Sequence, residues 1–270
     1  MTRLGLSIVF VSLLFVSGST ERACAQGKID DAIVMDEGQR TPEVSTAELR
    51  RILHDHSATV FDARPFKEYA MGHIPGAVNV APQPGMSRSL YISDVDEIGR
   101  DVHLNSNAPI VLYCNGPYCE KTIRLADDLL GEGYRNVRRY QLGMPVWRAL
   151  GGPVQIELAG VAFVMANDRS AVFIDARDPD QFRKRTLPDA MNLPLSRLGI
   201  ERNSGEIKAA EDDGRLPMDD HNTRIIVFGD NEEQSSAVAE TLAKEGFTNV
   251  AFFGGSLDEL YVAAAADQHE

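Results

Sequence analysis

The sequence predicts an α/β fold built from two tandem domains, each with a mainly parallel central sheet flanked by helices. The first observation is an internal repeat, in which segments of the first half return 113 residues later. The second is that short apolar or β-branched runs alternate with helical patterns, an order typical of parallel sheets. The third is Gly151-Gly152-Pro153, a natural linker between the repeated halves. We therefore predict a first domain at residues 42–152 and a second domain at residues 156–266.

The repeat is carried by segments that keep both their order and their spacing. Three segments of the first domain and their counterparts in the second are 58–64 with 171–177, 73–79 with 186–192, and 133–137 with 246–250. An offset of this length is that of a whole domain rather than of a solenoid unit. The two domains are therefore expected to share one fold.

In the first domain, helices and strands are predicted from capping residues and apolar runs. A helix begins after Ser45, whose hydroxyl can cap it, and Glu48 is placed to complete a capping box. Two strands, a helix and a last strand follow: 59–62, 110–113, 120–132 and 136–140. Gly133 is the expected stop of that helix. Because ligands bind at the carboxyl ends of strands in such sheets, Asp62 and Cys114 are expected at one edge.

Residues 1–25 are predicted to be a signal peptide rather than part of the fold. Arg3 gives a positive start, residues 4–16 form an apolar segment too short for an untilted membrane span, and Ala23-Cys24-Ala25 matches a cleavage site. The mature chain would begin at Gln26 and be exported to a bacterial periplasm, with no stable membrane insertion. An uncleaved N-terminal anchor is the alternative, and the charged residues before Cys24 disfavour a lipid anchor there.

The charge balance limits the partners that we expect. The net charge is −13 and no basic run is present, which argues against nucleic acid and anionic membrane surfaces as partners. No cysteine or carboxylate is spaced to complete a metal site with His54 and His56, so we expect no metal ion and no cofactor.

Cys114 is the predicted nucleophile. It ends an apolar run, and a helical pattern begins a few residues later, so N–H groups of the turn and of the helix N-terminus can stabilise a thiolate. We call residues 114–120 the cysteine loop. Its predicted anion cradle consists of Asn115, Gly116, Pro117, Tyr118, Cys119 and Glu120. The alternatives are a buried core cysteine and a passive disulfide, because removal of Cys24 leaves two cysteines in an oxidising compartment.

With these segments in order, the chain resembles the rhodanese (sulfurtransferase) family. The matching motifs are Asp62-Ala63-Arg64, residues 72–79, the strand and loop around Cys114, residues 133–137, and residues 143–147. The resemblance implies a persulfide on Cys114, formed from a sulfur donor such as thiosulfate and passed to a nucleophilic acceptor.

The same resemblance assigns supporting roles. Asp62 and Arg64 are expected to hold the loops around the pocket, with Glu68 as a partner of Arg64. His73 is expected to be structural. The cysteine loop is about two residues longer than the family's usual one, so the family's substrate rules do not transfer to it.

The second domain departs from the family pattern at the cysteine. Its strand 225–228 aligns with strand 110–113, which places Gly229 at the position of Cys114, and acidic residues follow it. We therefore expect the second domain to carry no sulfur and to serve in packing or binding.

Three functions stay open on sequence alone. The first is a sulfurtransferase that uses Cys114 and takes small-molecule donors and acceptors, or a protein acceptor. The second is a thiol–disulfide or sulfur-relay protein in which Cys119 resolves Cys114, because the spacing of the two cysteines in a turn can permit a disulfide. The third is a binding module without catalysis. The physiological donor and acceptor cannot be named from the sequence.

Overall fold

The structure is a computed structural model that describes residues 29–34, 38–87, 93–198 and 205–266. The predicted signal peptide, residues 1–25 with Cys24, lies outside the described residues. Among the described helices, none has the length and apolar character that crossing a membrane requires.

The first domain is a four-stranded parallel sheet with helices around it. Its strands are β1 (Thr59–Asp62), β2 (Val78–Asn79), β3 (Ile110–Tyr113) and β4 (Val137–Tyr140), in the order β2-β1-β3-β4. Its helices are α1 (Thr46–Asp55), α2 (Phe66–Met71), α3 (Asp94–Asp101), α4 (Glu120–Gly131) and α5 (Gly143–Ala149). The predicted helix start at Ser45 is confirmed, because the Glu48 N–H donates to Ser45 Oγ at 3.2 Å.

The second domain repeats this arrangement and adds one strand at the edge. Its strands are β5 (Gln155–Ile156), β6 (Val172–Asp175), β7 (Met191–Asn192), β8 (Ile225–Phe228) and β9 (Val250–Phe253), in the order β5-β9-β8-β6-β7. Its helices are α6 (Leu158–Asn167), α7 (Pro179–Lys184), α8 (Glu206–Asp212), α9 (Glu232–Lys244) and α10 (Leu257–Ala266), with a 3-10 turn at Leu195–Arg197. The predicted α/β class with two parallel sheets is confirmed.

The central strands explain why the sheets form where they do. All four residues of β3 and of β8 are buried, as expected for strands covered by helices on both faces. In the register of β1 and β3, Asp62 is paired with Tyr113. The residue after β3, Cys114, is therefore held at the same carboxyl edge as Asp62.

The two domains share one apolar core. A single cluster of buried side chains includes Tyr113 and Trp147 of the first domain together with Phe228 and Leu260 of the second. The linker is part of this packing, since Trp147 Nε1 donates to the carbonyl of Pro153 at 2.8 Å. The second domain therefore has a structural role in covering the first.

His73 lies at the junction of the domains. Its backbone exchanges two hydrogen bonds with Gln155 of β5, and its ring stacks on Tyr69 with the ring centroids 3.8 Å apart. Its Nε2 lies 3.6 Å from a carboxylate oxygen of Glu157. Burial lowers the pKa of His73 to about 4. The ring is thus neutral and structural, as the sequence predicts.

This buried histidine predicts a loss of stability in acid. In the unfolded chain, His73 binds a proton below its usual pKa of 6.5, whereas in the folded chain it does so only below about pH 4. The free energy of unfolding therefore falls as the pH falls from 6.5 to 4. The loss should reach up to about 3 kcal/mol. Glu157 opposes it in part, because burial raises the pKa of its carboxyl.

Urea unfolding at several pH values between neutral and pH 4 measures the slope. His73→Gln should flatten the dependence on pH, whatever its effect on stability at neutral pH. An unchanged slope in that variant would assign the acid sensitivity to other groups.

Candidate active site around Cys114

Cys114 directly follows β3 at the carboxyl edge of the first sheet, with only 6% of its surface exposed. Gly116 has a φ of 116°, a left-handed backbone conformation that favours glycine. The loop closes with a hydrogen bond from the Cys119 N–H to the Gly116 carbonyl at 2.9 Å, and α4 begins at the next residue. The strand–loop–helix arrangement that the sequence predicts around Cys114 is therefore present.

The cysteine loop offers backbone donors to an anion. The N–H groups of Asn115, Gly116 and Tyr118 donate to no protein acceptor in the described part of the chain. The N-terminus of α4 adds its own partial positive charge beside them. The side chains of Tyr118, which is 98% exposed, and of Glu120 lie in solvent. Backbone N–H groups of this kind can stabilise a negative sulfur without a metal ion, although Pro117 contributes none.

A disulfide joins Cys114 to Cys119. The sequence left this pairing open, and the structure resolves it in favour of the bond. Cys114 is buried and Cys119 is half-buried, so a reductant would meet Cys119 first. In the disulfide form Cys114 has no free thiol, and any nucleophilic chemistry requires prior reduction.

Gln141 anchors the loop from the side of β4. Its Nε2 donates to the carbonyls of Pro117 at 3.0 Å and of Cys119 at 3.3 Å. Its Oε1 accepts from the guanidinium of Arg139 at 2.8 Å and from the hydroxyl of Thr122. Gln141 is not among the site residues that the sequence predicts. The signal that could have found it is a polar residue directly after a buried strand.

Gly143 permits the close approach of α5 to the loop. Its φ is 65°, and a Cβ there would lie 2.5 Å from the Cys114 carbonyl oxygen and would also overlap Gly116. The Met144 N–H donates to that same carbonyl at 3.0 Å. Gly143 belongs to one of the family motifs, but its contact with the cysteine loop is visible only in the structure.

Asn115 of the cysteine loop is hydrogen-bonded to Glu68, the residue predicted to pair with Arg64. Asn115 Nδ2 donates to Glu68 Oε2 at 2.5 Å. The prediction that Glu68 pairs with Arg64 is wrong, because the guanidinium of Arg64 donates to Asp62 and Glu68 accepts from Asn115. Glu68 therefore positions the cysteine loop and not Arg64.

Asp62 and Arg64 form a buried pair. Arg64 Nε and Nη2 donate to the Asp62 carboxylate, the latter at 2.5 Å, and Nη2 also donates to the Gly72 carbonyl. Burial lowers the pKa of Arg64, but its hydrogen bonds to Asp62 and the charge of that carboxylate outweigh burial and leave the pKa raised. Asn79 closes the network by donating to the carbonyls of Asp62 and Arg64.

The second domain contains the same network at positions 113 residues further on. Arg177 donates to Asp175 and to the Arg185 carbonyl, and Asn192 donates to the carbonyls of Asp175 and Arg177. Because this network recurs where no cysteine follows β8, it is a scaffold common to both domains. The link from Gln141 to the loop, in contrast, has no counterpart, since Gly254 occupies the equivalent position.

The loop after β8 is closed by a side chain. Gln234 Oε1 accepts from the Asp230 N–H at 2.8 Å and so occupies a donor that an anion would need. Asp230 in turn accepts from Gln181, which mirrors the Asn115–Glu68 contact with acid and amide exchanged. A Cβ on Gly229 would lie 2.6 Å from Gln234 Oε1. The second domain lacks both the thiol and an open cradle.

Gly229→Cys is therefore expected to gain no sulfane sulfur. The side chain of the new cysteine would overlap Gln234. It would also lie next to Asp230, whose carboxylate raises the pKa of a nearby thiol. The measurement is sulfur uptake from thiosulfate in the background Cys114→Ser, with Gly229→Ser as the matched control. Uptake above that control would show that the second loop is still competent.

Comparison with known proteins identifies the family. The sequence profile of the Rhodanese-like domain matches residues 45–150 and 164–263. A helix-turn-helix-type transcriptional regulator of Mycobacterium tuberculosis is 34% identical over 130 residues, which cover 46% of this chain and 50% of that protein. A putative mitochondrial thiosulfate sulfurtransferase of Schizosaccharomyces pombe is 26% identical over 90 residues, 33% of this chain and 62% of that protein.

A solved structure is similar over a longer part of the chain. The thiosulfate sulfurtransferase of Pseudomonas aeruginosa aligns with 81% of this chain and 42% of its own, at 19% identity and a TM-score of 0.33. The match spans half the length of the regulator and under two thirds of the yeast protein. The family profile, however, covers most of both repeats. The chain therefore belongs to the rhodanese-like family, with two rhodanese-like domains in tandem.

Proposed function

We propose that the first domain is a sulfurtransferase that carries sulfane sulfur as a persulfide on Cys114. The observation that carries this proposal is the position of Cys114, directly after β3 in a loop that leads into α4. Three backbone N–H groups of this loop donate to no acceptor among the described residues. A thiolate and a persulfide are both anions that such donors stabilise. The name of the yeast relative, a putative thiosulfate sulfurtransferase, points to the same chemistry.

The charging step balances with thiosulfate as the donor. The Cys114 thiolate attacks the outer sulfur of thiosulfate, the sulfur–sulfur bond of thiosulfate breaks, and sulfite leaves with the electron pair. The persulfide then passes its outer sulfur to a nucleophile, either a small molecule or a protein thiol. The reaction begins from the dithiol form, because the disulfide blocks Cys114.

The test is thiocyanate formation from thiosulfate and cyanide by the purified chain, before and after reduction of the disulfide. Reduced protein should be active and oxidised protein inactive. A reduced protein that forms no thiocyanate and releases no sulfite from thiosulfate would contradict the proposal. The second candidate, a thiol–disulfide exchange protein, is supported by the disulfide itself. It predicts that the reduced protein reduces a disulfide substrate and takes no sulfur from thiosulfate.

The proposed location is a periplasm, reached by cleavage after Ala25. The support is the sequence pattern of residues 1–25. The intact mass of exported protein tests this, because a chain that begins at Gln26 is expected. A retained Met1, or the added mass of a lipid on Cys24, would contradict it.

A further inference from the structure

We propose that Cys119 resolves the Cys114 persulfide and releases its outer sulfur as hydrosulfide, so that a dithiol reductant is the natural co-substrate of this site. This inference rests on the proposed function, since it begins from a charged Cys114. It differs from simple transfer, in which an outside nucleophile takes the sulfur atom and Cys119 has no part.

The disulfide shows that the loop allows bonding contact between Cys114 Sγ and Cys119 Sγ. Cys119 lies five residues after Cys114, and its Sγ is bonded to Cys114 Sγ, the inner sulfur of a persulfide. The two ends of the loop are fixed by separate contacts. Gln141 holds the Cys119 carbonyl, and Met144 holds the Cys114 carbonyl. The loop is therefore held in a form that brings Cys119 to the inner sulfur.

The position of Cys119 at the start of α4 agrees with this role. Cys119 is the N-cap residue of α4 and makes no capping hydrogen bond with its side chain. The N-cap of the corresponding helix α9 is Asn231, whose side chain accepts from the Gln234 N–H at 2.9 Å. Asparagine is among the best N-cap residues, and cysteine is not. The first domain thus has a thiol at a position where its repeat has a stabilising cap.

The resolving step balances in atoms and electrons. The Cys119 thiolate attacks Cys114 Sγ, and a new sulfur–sulfur bond forms between the two cysteines. The bond from Cys114 Sγ to the outer sulfur breaks, and the outer sulfur leaves with the electron pair and takes a proton as hydrosulfide. The two cysteines are oxidised to the disulfide, and the sulfane sulfur is reduced.

An external dithiol then restores the site. Its first thiolate attacks Cys119, the more exposed of the two residues, and Cys114 leaves as a thiolate. Its second thiol releases Cys119 from the mixed disulfide. Each cycle converts one thiosulfate and one dithiol into sulfite, hydrosulfide and one oxidised dithiol.

The experiment is a single turnover without reductant. The chain is reduced, freed of reductant without air and mixed with thiosulfate, and then sulfite, hydrosulfide and intact protein mass are measured. The wild-type chain should release sulfite and hydrosulfide in equal amounts and lose the mass of two hydrogen atoms. Cys119→Asn, which places the cap of the second domain on α4, should release sulfite alone and gain the mass of one sulfur atom.

The outcomes separate the two proposals. A wild-type chain that releases sulfite but keeps the added sulfur overturns the resolving role and leaves the sulfurtransferase standing. Equal hydrosulfide release by Cys119→Asn overturns the resolving role as well. A wild-type chain that releases no sulfite and gains no sulfur overturns the proposed function itself.

Discussion

Replacing Cys114 with serine is expected to lower sulfur transfer from thiosulfate to cyanide by several orders of magnitude. A serine hydroxyl does not ionise near neutral pH, and a thiolate is the attacking group in the proposed charging step. The fold should be retained, because serine is close to cysteine in size and the side chain fills little of the core. The measurement is thiocyanate formation by the reduced protein, together with a melting temperature.

Cys119→Ser is the matched control for this change. It removes the same disulfide but leaves the nucleophile in place, so transfer to cyanide should remain substantial. Both variants should melt at similar temperatures, since each loses one bond across a short loop. An inactive Cys119→Ser beside an active Cys114→Ser would show that the nucleophile is assigned to the wrong cysteine.

Asp62→Ala is expected to have the largest effect on stability. The change leaves the buried guanidinium of Arg64 without its carboxylate, and breaking a buried pair in this way costs about 3–5 kcal/mol of unfolding free energy. Urea unfolding measures the change. Asp175→Ala is the matched control in the second domain, where Arg177 loses the same partner. The two variants should be destabilised by similar amounts, because the networks are alike and the domains share a core.

The pH dependence of sulfur transfer in these two variants shows whether the Asp62 carboxylate is structural or catalytic. At low temperature, where both variants are folded, Asp62→Ala should transfer sulfur with an unchanged dependence on pH. A pH profile that changes with Asp62→Ala and not with Asp175→Ala would show that the Asp62 carboxylate takes part in the chemistry.

The repeat and the central strands can be predicted from the sequence, whereas the two-residue strands β2, β5 and β7 are not predicted. The predicted strands 59–62 and 110–113 coincide with β1 and β3. A short apolar run that ends in a polar residue or a turn is too short for most helices and is typical of a buried strand. The sequence predicts a helix over 120–132 after Cys114, and the observed helix ends at Gly131. Repetition at a fixed offset also predicted that the scaffold of one domain would recur in the other, as Asp62 and Asp175 illustrate.

The partners of polar side chains could not be predicted, because they depend on tertiary distances. Arg64 has two acidic residues near it in sequence, Asp62 and Glu68. Only the fold determines that Asp62 is its partner and that Glu68 accepts a hydrogen bond from Asn115. Gln141 directly follows β4, and its position can be noticed from the sequence, but its contact with the cysteine loop depends on the fold. The spacing of Cys114 and Cys119 permits a disulfide, but the bond itself also depends on the shape of the loop.

A persulfide on Cys114 is tested by the mass of the peptide that contains Cys114 after thiosulfate treatment. Reduced Cys119→Asn protein is treated with thiosulfate, its remaining thiols are alkylated, and the digested peptides are weighed. We predict that one sulfur atom is added and that it is located on Cys114, with an equal amount of sulfite released. A folded, fully reduced protein whose Cys114 peptide gains no sulfur, or whose added sulfur lies elsewhere, would contradict the account.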